Sequence, residues 1–331
     1  MNRFGTIFTI SIFGESHGKT IGIIIDNCPA GISIYNQDFY VDLNRRKSGA
    51  KGTTTRLEAD EPEIVSGVFN NFTTGAPITI LFKNENVKSE DYSNLKNKPR
   101  PGHADFTALQ KYGGYNDYRG SGHFSGRLTL ALVAAGVLAK KICSPIAFSA
   151  SLISAGGEDD IQKAIDNAIV ENDSIGGIVA CTISNVPTGL GEPFFDSIES
   201  IISHLAFSIP AVKGIEFGAG FQAASMRGSE HNDVLINANG KTIQNNAGGI
   251  NGGISNGNEI VFKLAVKPPS SISKVQKTIN LQTSNMEILE IKGRHDACIA
   301  LRVPVVAEAI AAIALADFLL IQGNRKRVFS E

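Results

Sequence analysis

Tryptophan is absent from this 331-residue sequence, methionine occurs three times, and cysteine only four times. Cys28, Cys143, Cys181 and Cys298 are widely spaced with no Cys-x-x-Cys pair, which points to reduced thiols and away from a disulfide framework or a cysteine zinc site. An excess of charge is missing as well. A formal net charge of -1 argues against a protein-wide field for nucleic acid, so any anion must be bound locally. The longest apolar stretches, around residues 128–139 and 309–316, fall short of the ~20 residues that a bilayer span needs. They read as buried helices, and no membrane is expected as a partner. Residues 7–13 faintly imitate a signal peptide, but Thr9 and Ser11 interrupt the run and no cleavage pattern follows. A cytoplasmic protein is expected.

What the sequence does have is 34 glycines and a 42% hydrophobic content, enough for a substantial core. Alternation over residues 6–13 and an apolar run over 21–26 predict strands flanking a turn that carries His17. Further strands are expected at 63–69, 78–82, 146–153, 175–183 and 260–266. Helices are expected from an Asn36 cap, at 104–112 behind Pro101-Gly102, at 127–142, at 159–171, at 197–206 and from Pro304. Residues 245–257 are too glycine-rich for either regular element. No linker interrupts the alternation, so residues 1–331 read as one α/β (α+β) domain.

Four glycine-framed loops carry basic or imidazole groups: Gly14 to Gly18 with His17, Arg45-Arg46-Lys47-Ser48-Gly49, Arg100 to Asp105 with His103, and Arg119 to His123. Glycine lets backbone N–H groups face an anion, and arginine adds a planar donor fork. A histidine beside a phosphate dianion has its protonated form favoured. Together the loops point to an enzyme that gathers His17 and His103 around a phosphorylated small molecule.

Rival patterns are weaker. Gly218-Ala219-Gly220-Phe221-Gln222-Ala223 matches the loose dinucleotide fingerprint but lacks a clear strand-to-helix setting, and no Walker A order is present. His103 with Asp105, His231 with Asp233 and His295 with Asp296 could be fragments of a metal site, yet no His-x-His or His-x-x-x-His pair puts two imidazoles on one face, so no metal is expected. Ser16 beside His17 is not the strained elbow of a serine hydrolase.

In order, Phe13-Gly14-Glu15-Ser16-His17-Gly18, Arg45-Arg46, Arg100-Pro101-Gly102-His103-Ala104-Asp105-Phe106, Asp117 to Gly122 and Gly293-Arg294-His295-Asp296 resemble the signature blocks of chorismate synthase. Lys213 to Gly218, residues 245–257 and Lys267-Pro268-Pro269-Ser270-Ser271 resemble it too, so the likeness spans nearly the whole chain. The resemblance implies an intertwined β-α-β sandwich, a homotetramer, and a lyase that converts 5-enolpyruvylshikimate 3-phosphate to chorismate with reduced FMN and no net redox change. NADPH enters only indirectly, for flavin reduction, through this chain or a separate flavin reductase.

Carried residue by residue, the resemblance makes His103 the acid to the departing phosphate, His17 the proton donor to reduced flavin, and Asp296 an aid to proton removal through the flavin N5. It implies substrate binding by Arg45, Arg46, Lys51, Arg100, Ser125 and Arg127. It implies FMN binding by His123, Phe124, Ser125, Pro210, Ala211, Gly252, Lys267, Pro268, Pro269, Ser270, Ser271 and Arg294. Expelling phosphate while breaking an unactivated C–H bond needs an electron-rich partner that no side chain supplies, which agrees with a flavin.

The sequence departs from the family at His123-Phe124-Ser125-Gly126-Arg127-Leu128-Thr129, where Arg-Ser-Ser-Ala-Arg-Glu-Thr is usual. Pro210 stands for a common asparagine, Ala297 for a proline, and Lys51 for a nearby arginine as a weaker point charge. Two other functions stay open: an NAD(P)-linked oxidoreductase built on Gly218 to Ala223, and a non-catalytic binder of the same metabolite.

Overall fold

The computed structural model describes residues 2–86, 95–291 and 295–324. The first half runs β1 (Arg3–Phe4), β2 (Thr9–Gly14), β3 (Thr20–Asp26), α1 (Asn36–Arg46), β4 (Glu63–Ser66), β5 (Val68–Phe69), β6 (Phe72–Thr73), β7 (Ile78–Lys83), α2 (Asp105–Tyr112) and α3 (Thr129–Cys143). The second half runs β8 (Ala147–Ala155), α4 (Ile161–Val170), β9 (Gly177–Ser184), α5 (Ile198–Ala206), β10 (Val212–Phe217), α6 (Gly228–His231), β11 (Ile250–Asn251), β12 (Ile254–Ser255), β13 (Ile260–Val266), β14 (Gln276–Ile279), β15 (Met286–Leu289) and α7 (Pro304–Asn324).

Two antiparallel sheets, β1-β2-β3-β7-β4 and β10-β13-β9-β8, enclose a helical layer. Helices α3 and α7 are apolar nearly all round, so each must be covered on every side. Helix α3 rests on β3, α7 rests on β8 and β9, and the two helices pack on each other. At their contact a Cβ on Gly136 would lie 2.5 Å from the Ala309 Cβ, so only glycine allows this approach. One buried cluster draws on both sheets and the helices between them, the β-α-β sandwich that the resemblance implied.

Several elements differ from the sequence reading. The strand expected from residue 6 begins at Thr9, because the Thr6, Ile7 and Phe8 amides bond the Asp317 carboxylate at 2.8, 2.7 and 2.9 Å and leave the ladder. The strand expected over 63–69 breaks at Gly67, whose φ of +80° no sheet residue holds. Residues 250–255, expected to be irregular, form the β11–β12 hairpin, and β1, β6, β10, β14, β15 and α6 were not foreseen. Pro304–Gly323 is long and apolar enough to cross a bilayer, which the 309–316 run did not suggest. Glu308 and Asp317 punctuate that run in the sequence, and both are buried on internal partners. Most of the helix, 78% of its most apolar window, lies inside the fold.

Candidate active site

One cavity of about 540 Å³ is lined by stretches from residues 46–60, 100–104, 120–129, 207–211, 267–271 and 295–306. Helix ends and turns supply most of its polar groups. Arg46 closes α1, and Arg127 lies in a short turn capped by the Ser125 hydroxyl, directly before α3.

Arg46 and Arg127 share Asp60. Arg46 Nη2 lies 3.2 Å from Asp60 Oδ2, and Arg127 Nη1 lies 2.8 Å from Oδ1. Arg127 also donates through Nε to Asn84 Oδ1 at 2.6 Å. The Nε and Nη1 of Arg46 are buried and have no hydrogen-bond partner among the described residues. Burial, reinforced by Arg302, pulls the Arg46 guanidinium down to about 9, which still leaves it charged at neutral pH. A buried cation with two unused donor nitrogens beside a cavity is suited to receive an anion, which would supply the missing acceptors.

The second cluster is built on Asp105, the first residue of α2. Its carboxylate accepts from Arg100 Nε at 2.8 Å and Nη2 at 2.7 Å, and lies 2.6 Å from His103 Nδ1. Burial would raise this carboxyl, but Arg100 and His103 outweigh it and hold it ionised. An ionised carboxylate only accepts, so Nδ1 carries the imidazole proton and Nε2 accepts from Ser121 Oγ at 3.1 Å. With that tautomer the 3.1 Å approach of Arg100 Nη2 to Nδ1 brings two donors together, held by their common carboxylate. Burial lowers the His103 ring against the opposing pull of Asp105, so the ring is neutral at pH 7 until an anion arrives. Arg100 also donates to Ser271 Oγ at 2.9 Å.

His17 stands one layer behind. It is 7% exposed and is not among the lining residues; Gly120 separates it from the cavity, and a Cβ there would fall 2.3 Å from its Cδ2. Burial, with Arg56 and Arg119 adding positive charge, takes its ring down to about 4. Its neighbour Ser16 reaches the lining and accepts from Arg56 Nη1 at 3.1 Å.

Against the Arg100 to His103 loop, Lys267 Nζ donates to Gly102 O and Ser270 Oγ, both at 2.7 Å, and Pro269 and Ser271 line the cavity as well. Phe207, Ile209, Pro210, Ala211, Ile299, Val303 and Val306 form an apolar wall. Asp296 accepts from the Thr54 amide at 3.0 Å and lies 3.4 Å from Arg302 Nη1.

The structure therefore brings together Arg46, Arg100, His103, Ser125, Arg127, Pro210, Ala211, Lys267, Pro269, Ser270, Ser271 and Asp296. Arg45 is elsewhere, bound to Glu308 at 2.7 Å, and Lys51 pairs with Asp166 at 2.7 Å near the surface. Pro268 is not a lining residue, Gly252 occupies the turn of the β11–β12 hairpin, and Arg294 lies outside the described residues. His123 and Phe124 line the wall. The His123 Nδ1 bonds Gly14 O at 2.8 Å and its Nε2 lies 3.2 Å from Asn2 Oδ1, so the ring ties down the N-terminal segment. Phe124 leans on Tyr112 with ring centroids 6.3 Å apart. Asp60, Arg56, Ser121 and Arg302 were not foreseen. Gly218 to Ala223 follow β10 but enter a 3-10 turn, so no α-helix N-terminus is offered to a dinucleotide pyrophosphate.

Comparison with known proteins gives one consistent answer. A family model described as chorismate synthase matches residues 8–320. The chorismate synthase of Chitinophaga pinensis is 60% identical over 330 residues, covering 99% of each chain. That of Dehalococcoides mccartyi is 45% identical over 362 aligned positions, covering 100% of each. A solved structure titled "Crystal Structure of Chorismate Synthase" superposes with a TM-score of 0.74 at 26% identity, covering 96% of this chain and 93% of that one.

Proposed function

This chain belongs to the chorismate synthase family of lyases, and we propose that it converts 5-enolpyruvylshikimate 3-phosphate to chorismate and phosphate by 1,4-elimination with reduced FMN. The observation that carries this reading is the buried Arg46 with two unused donors, in the same cavity as a histidine aligned by Asp105.

The residues present fit a flavin. A planar ring needs an apolar surface and polar groups at its edge, and the cavity offers Ile209, Pro210 and Ala211 beside Lys267, whose amide bonds Ala211 O at 2.8 Å, with Ser270 and Ser271 following. Its volume, about 540 Å³, falls within the roughly 300–1,000 Å³ usual for such sites. Pro268, Pro269, Gly252 and Arg294 join these by resemblance. When bound, reduced flavin supplies the electron-rich partner that side chains lack.

The chain's own residues supply binding, orientation and proton control. Arg46 and Arg127 bind anionic groups of the substrate, and Ser125 holds the turn that presents Arg127. His103, oriented by Asp105, receives a proton as the phosphate dianion approaches and gives it to the leaving oxygen. Arg100 orients this pair while facing the same anion. Asp296, in the wall, would aid proton removal once the flavin is bound, and His17 keeps the role of proton donor to reduced flavin by resemblance alone, since its ring lies behind Gly120. Arg45 and Lys51 support α1 and the following loop.

We further take residues 1–331 to act as one unit, as a homotetramer in the cytoplasm. NADPH serves only to reduce FMN, through this chain or a separate flavin reductase. The test is product analysis with enolpyruvylshikimate phosphate and reduced FMN under anaerobic conditions. Chorismate and phosphate in equal amounts support the reading; a stoichiometric change in nicotinamide absorbance would favour an oxidoreductase, and binding without turnover a silent binder.

A further inference from the structure

We infer that Asp60 is the positioning residue of the anion receptor, setting both the spacing and the net charge of the Arg46 and Arg127 guanidinium groups. This rests on reading the cavity as the substrate site. Asp60 is 3% exposed, and each of its carboxylate oxygens serves a different arginine. One rigid carboxylate plane therefore fixes the distance between the two cations. The two arginines depend on it unequally. Arg127 has a further acceptor in Asn84 Oδ1, whereas Asp60 is the only side-chain acceptor of Arg46 among the described residues.

Backbone and charge agree with this role. Asp60 has a φ of +52°, in the left-handed region that is uncommon for non-glycine residues and that aspartate tolerates better than most. Burial alone would raise its carboxyl, yet Arg46 and Arg127 outweigh burial and keep it ionised. Two guanidinium charges against one carboxylate leave one positive unit for the incoming anion, with Arg302 close enough to Arg46 to add repulsion and Asp296 beside Arg302. Without Asp60, Arg46 would be an unanchored cation free to fold onto any anion of the substrate.

The test uses the full chain with reduced FMN and enolpyruvylshikimate phosphate, measuring kcat, KM and the dependence of KM on KCl. Asp60→Asn removes the charge and turns one acceptor into a donor facing a guanidinium. It is expected to lower kcat about tenfold or more, since a small misplacement of a binding group is costly, and to steepen the KCl dependence. Asp60→Glu keeps the charge but lengthens the arm, and is expected to lower kcat similarly with the wild-type KCl dependence. A purely structural Asp60 would lower thermal stability while kcat and the KCl dependence of the folded fraction stay at wild-type values, and that result overturns the inference. If the Asn variant does not fold, the Glu variant decides, and a wild-type kcat there overturns it. Should the wild-type protein show no turnover, the function reading fails separately. Calorimetry of inorganic phosphate binding then reads Asp60 directly: a steeper salt dependence in Asp60→Asn sustains its role, and an unchanged one overturns it.

Discussion

The His103 Nδ1 lies 2.6 Å from the Asp105 Oδ1, while the same carboxylate takes two hydrogen bonds from the Arg100 guanidinium and one from its backbone amide. This geometry fixes the tautomer, so Nε2 is the nitrogen left to exchange protons beside Ser121. Loss of the ring should therefore cost catalysis and not the fold. His103→Ala is expected to lower kcat by about 10²-fold or more, the scale of general acid catalysis. Unchanged turnover would remove His103 from that role.

A histidine held neutral by burial must acquire a proton before it can give one away. Binding of enolpyruvylshikimate phosphate near pH 7 should be accompanied by net proton uptake, visible as a dependence of the binding enthalpy on the ionisation enthalpy of the buffer. His103→Gln should abolish the uptake. An equal uptake in the variant would place the proton elsewhere.

The fold is expected to weaken in mild acid through His17. Its folded-state ring is held near 4 against 6.5 when free, so the unfolded chain protonates first as pH falls. Stability is unaffected above about 6.5, is lost progressively as pH falls from there to about 4, and the loss is complete below that, on the order of 3 kcal/mol. Urea denaturation over this range should show His17→Asn losing less stability than wild type. Parallel curves would contradict the assignment.

Asp317 holds three backbone amides of the N-terminal segment, and its substitution should be felt in stability alone. Asp317→Ala leaves the Thr6, Ile7 and Phe8 N–H groups without their acceptor and is expected to cost about 3 kcal/mol. Denaturation midpoints check this, and a change under about 0.5 kcal/mol, the scale of an ordinary surface substitution, would refute it.

Periodicity located six of the seven strands of six residues or more and all the long helices, because burial of one strand face or a whole helix leaves a pattern in a single stretch of sequence. Contacts between distant stretches leave none. The capture of residues 6–8 by Asp317 spans some 310 positions, and nothing near Thr6 announces it. The same limit governs the site. Arg100, His103 and Asp105 sit within six residues and were legible as a group, whereas Asp60 joins Arg46 and Arg127 only through the fold. Ser121 did carry a signal, since Gly120 and Gly122 mark a tight turn around it, and both adopt positive φ, +57° and +53°. His123 shows the converse case. The resemblance gave it to FMN binding, yet its ring nitrogens turn to Gly14 and Asn2.

The central claim is elimination of phosphate with reduced flavin that is not consumed. It is tested most directly by supplying reduced FMN equal to the enzyme, without oxygen or nicotinamide, and a large excess of enolpyruvylshikimate phosphate. The account predicts many phosphates and an equal number of chorismates released per flavin, with the flavin still reduced at the end. One phosphate or fewer per flavin from folded, flavin-bound protein would contradict it.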